Sequence, residues 1–364
     1  MPQGEHRARP QGARRPRRQR PGGVLGRRHS GESRARKLDL PDETVAEVFR
    51  RMADDFERGG SKLYASLARR YADDPLVAEL VGDHKPRWEA PLRLFGAVHY
   101  LELAGVVRHP WPKFHGVLES QRDWVTRFIA EQPVQTNEVQ RSWGLLPAFL
   151  SVAGDRPLDL IELGPSGGLN LFWDRHRYRY GDLVWGAPDA RLELTGEAHG
   201  GPPRELLERR VEVRRRIGID RRPVDVTSEH GAHLLEAFVW ADQTARLDRL
   251  RKAIELIRED PPEILEGDYL EVLPALLERR DPEALTVVFH SASAVYLRPE
   301  GADSLRETME RAGQERPLAW VSYESARDEE VGYHAFALEV QTWPAGERRR
   351  LARLDGHANS MAWL

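Results

Sequence analysis

Cysteine is absent from this chain of 364 residues. That absence excludes disulfides, cysteine-ligated zinc, iron–sulfur clusters and thiol nucleophiles together. Radical chemistry on a cluster and cysteine-mediated base methylation go with them. Long apolar runs are missing too: none approaches the roughly 20 residues that a membrane helix needs. The chain starts basic, but no apolar stretch follows as it would in a secretory signal. A cytoplasmic protein with no membrane partner is expected. No repeat recurs at a fixed period.

What remains is the composition of a globular protein. Hydrophobic residues make up 40% of the chain, enough for a real core, and charged residues 31%, enough for a soluble surface. The length allows two domains, or one large domain with an extension. The net charge of −3 hides an asymmetry. Residues 1–37 hold twelve Lys/Arg against two acids, and the rest holds 43 against 56. Residues 1–37 are rich in Arg, Pro and Gly and poor in large apolar residues, so they read as a disordered basic leader. That leader is the one hint of nucleic acid. The acidic body argues against a dedicated nucleic-acid binder.

Residues 38–155 read as a helical N-terminal domain. Val45, Val48, Phe49, Met52 and Phe56 recur at helical spacing, and Gly59-Gly60 stops them. Further helices are expected over 63–71, 76–81, 92–103, 117–131 and 138–150. The pattern changes at Arg156-Pro157. Short apolar runs at 158–163, 211–219, 264–266, 285–290 and 318–323 then alternate with helical stretches at 247–257 and 270–277. Strands alternating with helices predict a parallel α/β sheet over 156–364. Residues 174–205 look like an insertion carrying a small hairpin over 183–197. Residues 336–343 and 350–354 form a candidate C-terminal β-hairpin around Pro344-Ala345-Gly346.

The firmest candidate site is Glu162-Leu163-Gly164-Pro165-Ser166-Gly167-Gly168, set between a strand and a helix. Glycine permits a tight turn and close backbone approach. A helix N-terminus adds a favourable dipole for a ligand. The acid at the strand end can bind a cationic group. Glycines at 164, 167 and 168 do not meet the Gly-x-Gly-x-x-Gly of dinucleotide folds. The same residues spell the Gly-x-Ser-x-Gly of a serine hydrolase, with Ser166 as nucleophile and a downstream histidine such as His357. Against that, the chain before Leu158 is helical and no His-Gly-Gly-Gly segment precedes it. A turn without a ligand also stays open. Glu229-His230-Gly231-Ala232-His233 suggests metal, but no third ligand is evident, so no metal site is expected.

Several segments together resemble a bacterial family of unknown function. They are Gln135-Thr136-Asn137-Glu138-Val139-Gln140-Arg141, Glu162-Leu163-Gly164-x-Ser166-x-Gly168-Leu169-Asn170, Trp240-x-Asp242-Gln243 and Val288-Phe289-His290-Ser291. The likeness covers about residues 40–364. The C-terminal half of that family is similar to Rossmann-like methyltransferases dependent on S-adenosylmethionine. The resemblance implies a Rossmann-like methyltransferase sheet and S-adenosylmethionine as cofactor. It implies cofactor contacts from Glu162, Gly164, Ser166, Gly168 and Asn170. Asp220 resembles the ribose-binding acid after the second strand, although it stands farther from the loop than usual. Asp268 resembles the adenine-side acid, in competition with a role as helix N-cap. His290 is the candidate general base for transfer to N or O of a small-molecule acceptor. Gln135, Asn137, Glu138, Trp240, Asp242 and Tyr296 are candidate acceptor-binding residues. A non-catalytic protein binding the same ligand is the other alternative.

Overall fold

The computed structural model describes residues 43–135, 137–326 and 336–364. The basic leader and Thr136 of the signature lie outside the described residues. Helix α1 (Val45–Arg58) starts at a capping box: the Thr44 hydroxyl accepts from the Glu47 N–H, and Glu47 accepts from the Thr44 N–H. Its buried face is Val48, Phe49, Met52, Ala53 and Phe56. Ser61 caps α2 (Lys62–Arg70) and Asp74 caps α3 (Pro75–Val81). Helix α4 (Ala90–Leu103) is apolar nearly all round and is buried nearly all round. After α5 (Phe114–Ser120) and α6 (Arg122–Glu131), α7 (Arg141–Val152) leads to the sheet, with ten of its residues buried.

Among the described residues, the main sheet has nine strands. Strands β1 (Leu158–Leu163), β6 (Val213–Asp220), β7 (Glu263–Glu266), β8 (Leu285–Ser291) and β9 (Leu318–Ser325) are parallel. In sequence order these five stand 3-2-1-4-5, with the reversal between β1 and β8. Strand β10 (Phe336–Trp343) adds antiparallel to β9, and β11 (Glu347–Leu354) antiparallel to β10, forming the expected C-terminal hairpin. Strand β12 (Ser360–Trp363) joins β11, and β5 (Glu197–His199) closes the edge. All six residues of β1 are buried, as expected of a parallel strand covered on both faces.

Helices lie on both sides. One face of the sheet, including Leu158, Leu160, Val287, Phe289, Val321 and Tyr323, shares one apolar core with α1–α7, α8 (Arg204–Leu207), α9 (Glu229–Ala237) and α10 (Thr244–Arg258). The expected boundary at residue 156 is therefore a change of secondary structure within one continuous core. The opposite face, including Ile161, Leu163, Val288 and Leu318, packs on α11 (Tyr269–Glu278) and α12 (Pro299–Glu315). Among the described residues, no helix is long and apolar enough to cross a membrane.

The insertion differs from expectation. Its hairpin pairs β2 (Arg177–Tyr180) with β3 (Leu183–Trp185) around Gly181, at a φ of 60°. Strand β4 (Glu193–Thr195) adds parallel to β2. Alternation over 183–197 was a poor guide because β3, β4 and β5 are three residues each and serve two different sheets. Helix α12 went unnoticed in the sequence; Leu305, Met309 and Ala312 mark its buried face.

Candidate functional site

The loop after β1 sits where the strand order reverses, the usual ligand position in open α/β sheets. Gly164, Ser166 and Gly168 all have positive φ, at 74°, 55° and 78°. The glycines are demanded by neighbouring protein. A Cβ on Gly164 would stand 2.7 Å from Ser293 Cβ, and one on Gly168 would stand 2.8 Å from Pro262 Cγ. The loop amides are largely spent as well. Gly164 N–H donates to the Ile219 carbonyl, Ser166 N–H to Asp220 Oδ2 and Gly168 N–H to the Pro165 carbonyl, at 2.9, 2.8 and 2.9 Å. Proline supplies no amide hydrogen. The backbone donors of the loop are therefore mostly occupied.

Glu162, just before the loop, is the unusual group. It is 2% exposed and extends the Leu158/Leu160 row toward the α7 layer. Burial, and then the nearby Asp220 charge, push its carboxyl up to about 8, against the opposing pull of Arg141 and a hydrogen bond from Asn170. Its Oε2 is buried without a partner. Asn170 is held in turn by Ser142, whose hydroxyl donates to Asn170 Oδ1 at 2.8 Å.

The 135–141 signature covers this loop. The Ser166 hydroxyl donates to Gln135 Oε1 at 2.5 Å. Asn137 Nδ2 donates to the Pro165 carbonyl at 2.6 Å, and its Oδ1 is buried without a partner. Asp220 stands beside the loop at the end of β6. Its two oxygens accept the Ser166 and Arg222 amides. The structure thus joins Glu162, Ser166, Asn170, Asp220, Gln135 and Asn137 in one polar cluster.

The other expected residues do different things. Glu138 forms a buried ion pair with Arg246 at 2.7 Å, and Arg249 lies 3.4 Å away. Burial would raise its carboxyl, but Arg246 and Arg249 overcome that and hold it at about 2. Asp242 accepts from the Ser61 hydroxyl at 2.6 Å and the Leu63 amide at 3.0 Å, tying the α1–α2 turn to the later chain. Trp240 packs edge-on against Phe56 and His357. Asp268 caps α11 through the Leu270 amide and pairs with Arg221. Tyr296 is 55% exposed. The Tyr100 hydroxyl engages His230 Nδ1 at 2.6 Å. His357 is held near 4 by burial and then by Arg246, so it is neutral at pH 7.

His290 follows Val288 on β8 and faces the α11–α12 layer, opposite to Glu162. Its Nδ1 meets Glu324 Oε1 at 2.8 Å. The same oxygen accepts the Ser293 and Ala294 amides at 2.9 and 3.0 Å. His290 Nε2 is buried without a partner, and the ring lines a cleft of about 140 Å³ with Trp320 and Glu324. Sequence reasoning missed Glu324, whose only signal was its place at the end of a β-like run. It quoted Arg141 without a role; that buried side chain reaches the Gly356 carbonyl at 3.1 Å and the Ser291 carbonyl at 3.4 Å.

Residues 46–363 match the model of the family described as "Uncharacterized protein conserved in bacteria (DUF2332)". The chain belongs to that family. No curated protein matches it.

Proposed function

We propose that this member of an uncharacterised bacterial family is a methyltransferase that binds S-adenosylmethionine at the C-terminal ends of β1 and β6. Its acceptor would be an N or O atom of a small molecule. The single observation that carries this reading is Glu162. A carboxyl buried with an unpartnered oxygen is costly, and a cationic ligand relieves that cost by pairing with the ionised form. The amino acid end of S-adenosylmethionine carries an ammonium close to a sulfonium. The five-strand order 3-2-1-4-5 and the ligand position at its reversal support the same reading, since both suit a nucleoside.

The residues present fit such a ligand. Glu162 Oε2 and Asn137 Oδ1 are both unpartnered acceptors bordering the loop, matched to a donor-rich cation. Asp220 adds negative charge and keeps lone pairs for hydroxyl donors. Asn170 and Ser142 fix the Glu162 carboxyl from behind. When bound, the cofactor supplies an electrophilic methyl group to the acceptor's lone pair. Gln135 and the α7 layer then position the acceptor and exclude water, which makes orientation the main source of rate. His290 lies on the far face, so this reading gives it no part in the transfer.

Calorimetry of the full chain with S-adenosylmethionine and its demethylated product tests the reading. Binding of both is expected, with methylation of some member of a broad acceptor panel. Binding without turnover across the panel would favour a binding protein. One observation favours a hydrolase: Ser166 has a left-handed backbone, unusual for a non-glycine residue. Its hydroxyl partner is the Gln135 amide oxygen rather than an imidazole. Labelling of Ser166 by a fluorophosphonate, with no binding of either cofactor form, would move the assignment to hydrolysis.

A further inference from the structure

The cleft between α12 and strands β8–β10 lies on the sheet face that the Glu162 cluster does not use. We propose that it binds a small hydroxy acid, independently of the methyltransferase reading. The polar floor is His290, 3% exposed, whose Nε2 has no partner. Its tautomer follows from Glu324. That carboxylate oxygen accepts two backbone amides, which can only donate, so it acts as an acceptor. The hydrogen of the His290–Glu324 contact therefore sits on Nδ1, which leaves Nε2 as the ring position without a partner. Trp320 lines the same cleft, and its Nε1, which is only a donor, is also buried without a partner. A hydroxyl, which donates and accepts at once, meets the ring nitrogen in either role and the indole donor as well.

The walls and rim define the rest of the ligand. Leu297 and Leu305 are apolar. Arg306 and Arg348 stand at the rim with side chains 50% and 58% exposed. Arg348 pairs with Glu339, while the Arg306–Asp303 pair, exposed on both sides, is weak and a ligand carboxylate can compete for that guanidinium. A volume of about 140 Å³ is well below that of drug-sized sites, which start near ~300 Å³, so the ligand has only a few carbons. Hydroxyl inside, short apolar body and carboxylate at the rim together describe a short-chain hydroxy acid.

The test is a nuclear magnetic resonance titration of the full chain, labelled with ¹⁵N at histidine, using 3-hydroxybutyrate and butyrate as probes. A saturable shift of the His290 ring nitrogens is expected, with a Kd of about 1 mM or tighter. Butyrate, which lacks the hydroxyl, should bind at least about tenfold more weakly. His290→Phe assigns the resonance by deleting it. Arg306→Gln, an exposed change that spares the fold, should weaken 3-hydroxybutyrate severalfold and leave S-adenosylmethionine binding untouched. The two proposals can therefore fail separately. A His290 resonance that does not saturate, or that responds equally to butyrate, would overturn the hydroxy-acid site.

Discussion

Glu138 and Glu162 are buried to nearly the same degree, at 5% and 2% exposure, yet the fold treats them in opposite ways. Glu138 lies between α7 and α10 with two guanidiniums against it, and it is held at about 2. Glu162 lies at the end of β1 with one oxygen unpartnered and a second carboxylate nearby, and it is pushed up to about 8. Burial alone thus decides little; the neighbours set the charge. The first arrangement is that of a structural clamp. The second costs stability in the free protein and makes sense where a ligand supplies the missing cation.

Breaking the clamp should have the largest effect. Glu138→Gln leaves Arg246 and Arg249 facing a neutral amide, and urea unfolding should show a loss of about 3–5 kcal/mol. The matching change at Glu162 should do the reverse. The folded protein keeps a proton there that the unfolded chain releases above its ordinary value of 4.5, so wild-type stability falls as pH rises from 4.5 through about 8. Glu162→Gln should be more stable than wild type at pH 8 by on the order of 4 kcal/mol, and the gain should vanish toward pH 4.5. Equal stability of the two proteins at all pH values would show that Glu162 has a partner.

Two smaller effects separate scaffold from site. Asp242→Ala removes the acceptor of the buried Ser61 hydroxyl and of the Leu63 amide, and should cost about 2 kcal/mol in the same unfolding assay. Asp268→Ala removes a helix cap and should cost about 1 kcal/mol while S-adenosylmethionine affinity, read by calorimetry, stays unchanged. A large loss of affinity with intact stability would instead restore the adenine-side role that the resemblance implies for Asp268.

Much of the fold was legible because its strands are short apolar runs between breakers. Leu158–Leu163 forms β1 as expected, and the runs at 285–290 and 318–323 lie within β8 and β9. The C-terminal hairpin was legible from its Pro-Ala-Gly turn. The loop's place was legible too, but its workings were not. Sequence shows glycines; it does not show that Ser293 and Pro262, distant in the chain, are what the glycines make room for. Nor does it show that Asp220 spends an oxygen on the loop's own backbone. Strand alternation could have placed Glu162 and His290 on opposite faces, but only once the β1–β8 register, which pairs Glu162 with Phe289, was known. The roles of Asp242 and Glu138 were illegible because their partners lie 181 and 108 residues away.

The most direct test of the central claim is proton-linked calorimetry. S-adenosylmethionine is titrated into wild type and Glu162→Gln near pH 7, in two buffers of different ionisation enthalpy. Wild type should bind with release of close to one proton per ligand, because a cation drives ionisation of a carboxyl poised at about 8. Glu162→Gln should release none and bind at least about tenfold more weakly. Equal affinity and equal proton release in the two proteins would contradict the account.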